Sequence, residues 1–177
     1  MNPSPHLDED ALSLLEHVYS TASEILQRDG QVLSIAFFRV GPNAQIPPAI
    51  LDAYPDVEPP EPGTVAMLPL LTGDDEEKDL SAAAMWTAFE MLDADLVVQV
   101  SESWVVKATN PDVDLSIPPR LHPDRTEALV LIAHKRGGRA WTVIAPIQRD
   151  ANGKPSIPAQ MPAPQFADSM RGRFAPD

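Results

Sequence analysis

Residues 126–148, TEALVLIAHKRGGRAWTVIAPIQ, contain two runs of β-forming residues separated by a pair of glycines. Branched and aromatic side chains dominate both runs, a composition typical of strands. Gly137 and Gly138 can adopt the positive φ angles that a two-residue hairpin turn requires. The stretch therefore predicts a β-hairpin with strands over 126–135 and 139–148.

The turn length predicts which side chains share a face of this hairpin. With a two-residue turn, His134 lies opposite Trp141. Two residues further along, Ile132 lies opposite Val143. Both faces then carry apolar side chains near the middle of the hairpin, so both faces need a cover. We expect helices to cover one face, and the proline-rich arms or a second subunit to cover the other.

Two helices and three further strands precede the hairpin. In the first helix apolar residues recur at helical spacing, three acidic residues open it, and Asp29-Gly30 ends it. The second helix follows an acidic run and is apolar around most of its circumference, so we expect it to be buried. The predicted helices span 8–28 and 76–92, and the predicted strands span 32–40, 64–71 and 96–107.

Eleven of the twenty prolines fall in two connections between these elements. Their density predicts a loop without regular helix or central strand over 41–63, and a second irregular connection over 108–124. Pro69 restricts its strand to an edge of the sheet. We expect one domain over 1–150, followed by a proline-rich C-terminal arm over 151–177 that turns helical after Phe166.

The order of elements, α-β-β-α-β-β-β, predicts an α+β fold. The most economical arrangement is a single, mostly antiparallel sheet of about five strands with the two main helices on one face. Alternation along the strand over 96–107 assigns one set of side chains to the core. That set is Leu96, Val98, Val100, Glu102, Trp104 and Val106.

Composition excludes several functional classes. The chain has 177 residues, a net charge of −13 and no cysteine, which excludes disulfides, thiol nucleophiles and thiolate metal sites. An acidic surface without a basic patch repels nucleic acid and anionic membranes. A bilayer-spanning run of about 18 apolar residues is missing. The N-terminus lacks the pattern of a signal peptide, so we expect a cytoplasmic location.

Several landmarks between residues 10 and 150 occur together in this chain. They are Asp29-Gly30 before a strand, Lys78-Asp79 opening a helix, Ser101-Glu102-Ser103-Trp104 within a strand, and Pro123, Arg125 and Glu127-Ala128-Leu129 opening the hairpin. This combination resembles a group of small uncharacterised bacterial proteins. The resemblance carries no catalytic signature and therefore implies no activity, and the arm over 151–177 falls outside it.

Glu102, Arg125 and Glu127 are the candidate site residues. Glu102 falls on the apolar face of its strand, where an ionised carboxylate needs a partner, a hydrogen bond or a proton. One interpretation is a general acid/base or metal ligand with a raised pKa. The other is a carboxylate paired with Arg125, which can hold it bidentately. Arg125 and Glu127 share a face of their strand, where they either flank a polar cleft with Glu102 or form a solvated strand end.

We expect neither a cofactor nor a metal. His122-Pro-Asp124 offers two ligands, whereas zinc sites use three or four. Glu102 and Lys107, which with Asp95 would form a nuclease set, fall on opposite faces of one strand. Phosphate-binding glycine loops and nucleophile elbows are missing from the sequence. The four histidines, none at a paired metal-ligand spacing, are His6, His17, His122 and His134.

Three functions remain open on these observations. The preferred one is a non-enzymatic binding or accessory protein that forms a homo-oligomer through the 126–148 hairpin or the proline-rich arms. The second is a small enzyme or ligand-binding protein with a polar cleft at Glu102, Arg125 and Glu127. The third is an acidic mimic of nucleic acid that binds a basic protein, which requires an ordered stripe of carboxylates over 52–79.

Overall fold

The computed structural model describes residues 7–53, 58–106, 114, 116–137 and 139–167. The predicted end of a strand at Lys107, the position of His6 and the chain after Ala167 lie outside these ranges. The elements are α1 (Glu9–Asp29), β1 (Ile35–Arg39), α2 (Pro48–Ala53), β2 (Val65–Pro69), α3 (Asp75–Met91), β3 (Leu96–Val105), a 3₁₀-helix (Pro119–Leu121), β4 (Thr126–Lys135), β5 (Arg139–Pro146), β6 (Gln148–Arg149), β7 (Pro155–Ser156) and β8 (Gln165–Ala167).

The predicted α+β class with two main helices is confirmed. Six strands form one antiparallel sheet in the order β2-β1-β3-β4-β5-β8, and β6 pairs with β7 in a small second sheet. β2 lies at the edge of the large sheet, as Pro69 predicted. β8 pairs with β5 at the opposite edge, so the prediction of helix after Phe166 is wrong for the first residues of that segment.

α1 begins and ends where its capping residues predict. The Asp8 side chain accepts a hydrogen bond of 2.8 Å from the Ala11 N–H, satisfying one of the free donors of the first turn. Gly30 adopts a left-handed conformation with φ of 79°, and its N–H donates to the Leu26 carbonyl at 2.9 Å. This junction turns the chain directly toward β1.

The two main helices lie on opposite faces of the sheet, so the prediction that they share one face is wrong. Neighbouring residues of β3 show the division, because Val98 packs with α1 and Val97 packs with α3. We call these two surfaces the α1 face and the α3 face. β1 and β3 are apolar on both faces, and a single helical layer would leave one of those faces in water.

The hairpin turn has three residues instead of the predicted two. Lys135 pairs with Arg139 around Arg136-Gly137-Gly138, and the Arg136 N–H donates to the Asp95 carbonyl at 2.8 Å. Gly137 takes the positive φ of 96° that this turn needs. The predicted pairing therefore shifts by one residue, which changes the face on which every β5 side chain lies.

The shift places the larger apolar set of the hairpin against α1. His134 pairs with Ala140, so its predicted pairing with Trp141 is wrong, as is that of Ile132 with Val143. The α1 face of the hairpin is buried throughout its middle and consists of Leu129, Leu131, Ala133, Trp141, Val143 and Ala145.

The α3 face of the hairpin is only partly covered, because α3 packs mainly on β1 and β3 and contacts β4 at His134, near the turn. We call its apolar part the hairpin patch. Ile144 is 40% exposed there, and the other members are partly exposed. The hairpin patch consists of Val130, Ile132, Thr142 and Ile144. The two helices therefore leave this part of the hairpin face partly exposed.

Two predictions about the other helices are wrong. Residues 48–53 form α2 within the proline-rich segment, because Pro48 occupies the first helical position, where no N–H is needed. α3 is buried along one side only, and Leu80 is 59% exposed. Within the described ranges, no helix combines the length and apolarity needed to cross a membrane.

The proline-rich segment after β7 packs against α1. The Tyr19 hydroxyl donates a hydrogen bond of 2.6 Å to the Pro158 carbonyl. Ile157 and Met161 pack on the core beneath α1. Prolines suit this extended path because each fixes φ and removes a donor that would otherwise need a partner. The segment thus carries the chain from β7 to the sheet edge at β8.

One-sided burial of α3 predicts unequal effects of two substitutions on it. Met85 is 1% exposed, so Met85→Ala should lower the free energy of unfolding by about 2–5 kcal/mol through lost burial and a cavity. Leu80→Ala should change it by no more than about 0.5 kcal/mol. Urea unfolding followed by circular dichroism measures both. Equal losses would mean that α3 is buried on both sides.

Candidate functional site

Glu102 and Glu127 approach each other at one end of the α1 face, with Arg149 between them. The Arg149 Nε lies 2.8 Å from Glu127 Oε2, and its Nη2 lies 2.5 Å from Glu127 Oε1, which makes the pair bidentate. The same Nη2 lies 4.0 Å from Glu102 Oε2. Because the three residues belong to β3, β4 and β6, the cluster connects both sheets.

Arg149 also contacts the end of α1. Its Nη1 donates to the Gly30 carbonyl at 3.3 Å and to the Gly153 carbonyl at 3.4 Å. A cation is favourable beside helix C-terminal carbonyls, which carry partial negative charge. One guanidinium therefore links the helix terminus, the large sheet and the β6–β7 turn.

The two carboxyl groups of the cluster have pKa values displaced in opposite directions. Burial raises the pKa of Glu102 and the nearby Glu127 charge adds to this, while the Val32 N–H, which donates to Glu102 Oε1, and the Arg149 charge oppose it. Hydrogen bonds from Arg149 lower the pKa of Glu127. Arg149 thus holds Glu127 in its charged form, whereas burial favours a protonated Glu102.

Arg125 is not the partner of Glu102, and that prediction is wrong. Its guanidinium lies over the Trp104 ring, 4.9 Å from the ring centroid, in a cation–π contact. Trp104 is 44% exposed and so is not the core residue that strand alternation predicted. The predicted cleft therefore divides into an Arg149 cluster with both carboxylates and a separate Arg125–Trp104 stack.

Arg149 is the residue of this cluster that the sequence analysis missed. The β6–β7 turn places it, and the Asp150 side chain stabilises this turn by accepting from the N–H groups of Asn152 and Lys154 at 2.8 Å and 2.9 Å. The Asn152-Gly153 dipeptide is a turn signal that indicates the reversal. It does not indicate which strand end the arginine reaches, because that depends on long-range packing.

The contacts of the cluster are those of a structural link between elements. Both Glu127 oxygens accept from Arg149, and one Glu102 oxygen accepts from a backbone N–H. A general acid or base needs an oxygen free to reach a substrate proton. The raised pKa of Glu102 is compatible with an acid/base role, but the arrangement of the cluster does not favour that role over a structural one. The enzyme hypothesis therefore stays a prediction.

Two of the histidines, His122 and His134, make local contacts. His122 Nδ1 accepts from the Asp124 N–H at 3.0 Å, so the pair does not present two ligands side by side. His134 packs against Trp86, with ring centroids 4.7 Å apart, and burial lowers the pKa of His134. The residues described by the structure contain no group of three or more side chains able to hold a metal ion.

Three buried polar atoms have no hydrogen-bond partner within the described ranges. They are Trp86 Nε1, Gln99 Oε1 and His134 Nδ1. Gln99 lies on the α3 face of β3, where its backbone pairs with that of Ile132 in the hairpin patch. The inner boundary of the hairpin patch therefore includes an acceptor that the described chain does not satisfy.

Three surface depressions of about 450–540 Å³ lie away from the predicted cleft. One separates the loop at Asn43 from the end of α3, a second lies between α1 and the segment at Met161, and a third lies between α1 and β2. None of these three is lined by Glu102, Arg125 or Glu127.

Comparison with known proteins adds no assignment: no family model, curated protein or solved structure matches the chain. The resemblance to small bacterial proteins stays a prediction.

Replacing Glu102 by Gln should not destabilise the fold. The new side chain keeps an oxygen for the Val32 N–H and removes the charge that burial disfavours. Because the pKa of Glu102 is higher in the folded chain than in the unfolded chain, ionisation of Glu102 destabilises the fold above the folded pKa. Below the unfolded pKa the carboxyl is protonated in both states and has no effect on stability. We expect Glu102→Gln to be at least as stable as the natural chain at pH 7, and the difference to disappear below about pH 4. Urea unfolding at several pH values measures this.

Glu127→Gln is the matched control, with the opposite sign. Because the pKa of Glu127 is lowered, its charge contributes stability above the ordinary glutamate range, and this is lost as the pH falls through the lowered pKa. The substitution should lower the free energy of unfolding by about 0.5–1 kcal/mol at pH 7. The loss is small because solvent screens a partly exposed ion pair. Equal losses for both variants would contradict the different roles of the two carboxylates.

Proposed function

We propose that the protein is a non-enzymatic binding or accessory protein of the bacterial cytoplasm that self-associates through the hairpin patch. The observation that carries the proposal is the incomplete cover of this surface. Val130 and Ile132 on β4 and Thr142 and Ile144 on β5 remain partly exposed beside α3, which packs mainly on β1 and β3 and contacts β4 at His134. An apolar sheet face of this kind is a common contact surface.

Charge favours a second copy at this surface. The chain carries a net charge of −13, so two copies repel each other across most of their surfaces. The hairpin patch and the neighbouring Ser101 and Ser103 on the same face contain no ionisable side chain. Contact here therefore brings two like-charged copies together with the least desolvation of charge.

A two-fold axis through the patch would make the contact self-complementary. The same residues of each copy would then face each other, as in most soluble homodimers. Two sheets packed in this way lie about 10 Å apart, with interdigitated side chains.

Analytical ultracentrifugation of the chain and of Ile144→Asp tests self-association. We expect the natural chain to sediment as a dimer between about 1 and 200 µM, and the variant to be monomeric because a charge is buried at the contact. Leu80→Asp is the control, since Leu80 is also exposed but lies on α3, and this variant should remain dimeric. A natural chain that is monomeric throughout the range rejects the self-association.

Native mass spectrometry of protein purified from its host without chelators tests the non-enzymatic part. A multiple of the chain mass with no additional mass is the expected result. A retained metal ion or small molecule would contradict the proposal, and Glu102→Gln would then show whether the Arg149 cluster holds it.

A further inference from the structure

The outer edge of β2 presents unpaired backbone groups. Thr64 and Leu70 bond inward, since the Thr64 carbonyl accepts from Val40 and the Leu70 N–H donates to Ser34, each at 2.9 Å. Backbone direction alternates along a strand, so the odd-numbered residues between them point outward. No strand of the described chain pairs with this side of β2. Its free groups are the N–H groups of Val65 and Met67 and the carbonyls of Val65, Met67 and Pro69.

The side chains of these outward residues are also uncovered. Val65 and Met67 lie on the α1 face, opposite Arg39 and Phe37 of β1, yet they are 43% and 66% exposed because α1 does not extend over β2. The depression of about 450 Å³ between α1 and β2 ends at Val65. A strand added at this edge would place alternate side chains beside Val65 and Met67, next to this depression.

Acidic side chains flank both ends of the edge. Seven carboxylates and one lysine lie between residues 58 and 79. Glu58 and Glu61 are exposed before β2, and Asp74, Glu76 and Glu77 are exposed after it. The apolar, hydrogen-bonding part of the edge is therefore preceded and followed along the chain by exposed acidic side chains.

We infer that this edge is a docking site for an extended segment of another protein, with apolar residues at alternate positions and lysine or arginine at both ends. The segment would add a seventh, antiparallel strand to the sheet, as in other cases of β-strand addition. Backbone bonds to Val65 and Met67 supply affinity, and the flanking charges select a basic partner.

A second copy of the chain fits this edge poorly. A two-fold pairing about Met67 would bring the Glu58–Glu61 end of one copy against the acidic start of α3 in the other. It would also place Pro69, which has no N–H, opposite Val65 and leave a carbonyl unpaired. Both features act against edge-to-edge association of identical chains, as edge charges and prolines do in other sheets.

Nuclear magnetic resonance of the ¹⁵N-labelled full chain with the peptide acetyl-KKVTVTVKK-amide tests the inference. We expect hydrogen exchange at the Val65 and Met67 amides to slow by at least about tenfold at saturation. The same peptide with glutamate in place of lysine should bind at least about tenfold more weakly at low salt, and salt should reduce the difference. Equal binding of the two peptides, or no change at these amides, would overturn the inference.

Two variants at position 67 separate the contribution of the backbone N–H to peptide binding from that of the side chain. Met67→Pro removes an outward N–H that β1 does not use, and it should abolish binding of the lysine peptide. Met67→Ala keeps that N–H and should retain binding within about fivefold. Unchanged binding by Met67→Pro would reject the edge as the site. Protection of Val65 and Met67 without peptide, rising with protein concentration, would show a second copy there instead.

The inference is independent of self-association through the hairpin patch. The titration is therefore repeated with Ile144→Asp, and the same protection of the Val65 and Met67 amides is expected. Loss of peptide binding in that variant would place the peptide on the hairpin patch and overturn docking at β2.

Discussion

The strands β1 and β3 need burial on both of their faces. Val97 and Val98 are both at most 1% exposed although they point in opposite directions. Two helical layers satisfy this need, with α1 on one face and α3 on the other. Because α1 lies toward the hairpin and α3 toward β1, diagonally opposite parts of the sheet stay open. The hairpin patch and the β2 edge are these two parts.

Arginines connect elements that are distant in the sequence of this acidic chain. Arg149 joins β6 to Glu127 and to the end of α1, and Arg39 on β1 pairs bidentately with Asp95 before β3. Arg136 donates to the Ala94 carbonyl at 3.0 Å and to Glu90 in α3. With 13 basic residues against 26 acidic ones, most carboxylates face solvent, and these arginine contacts reduce repulsion where elements meet.

The two open surfaces differ in the chemistry that each can recognise. The hairpin patch is a sheet face without charge, so side-chain packing would dominate any contact there. The β2 edge offers backbone donors and acceptors between acidic ends, so hydrogen bonding and charge would dominate. Since they lie on different faces and at different strands, one molecule could use both surfaces at once.

Local sequence determined the two main helices and the five longer strands, because caps, periodicity and proline act over a few residues. Asp8 and Gly30 fix the ends of α1, and Pro69 fixes β2 as an edge. Tertiary structure decided the rest. One additional turn residue moved Trp141 onto the α1 face, and the β6–β7 turn brought Arg149, instead of the predicted Arg125, beside Glu102, where it pairs with Glu127. Register and ion-pair partners depend on contacts between residues far apart in the chain, which alternation within a single strand does not encode.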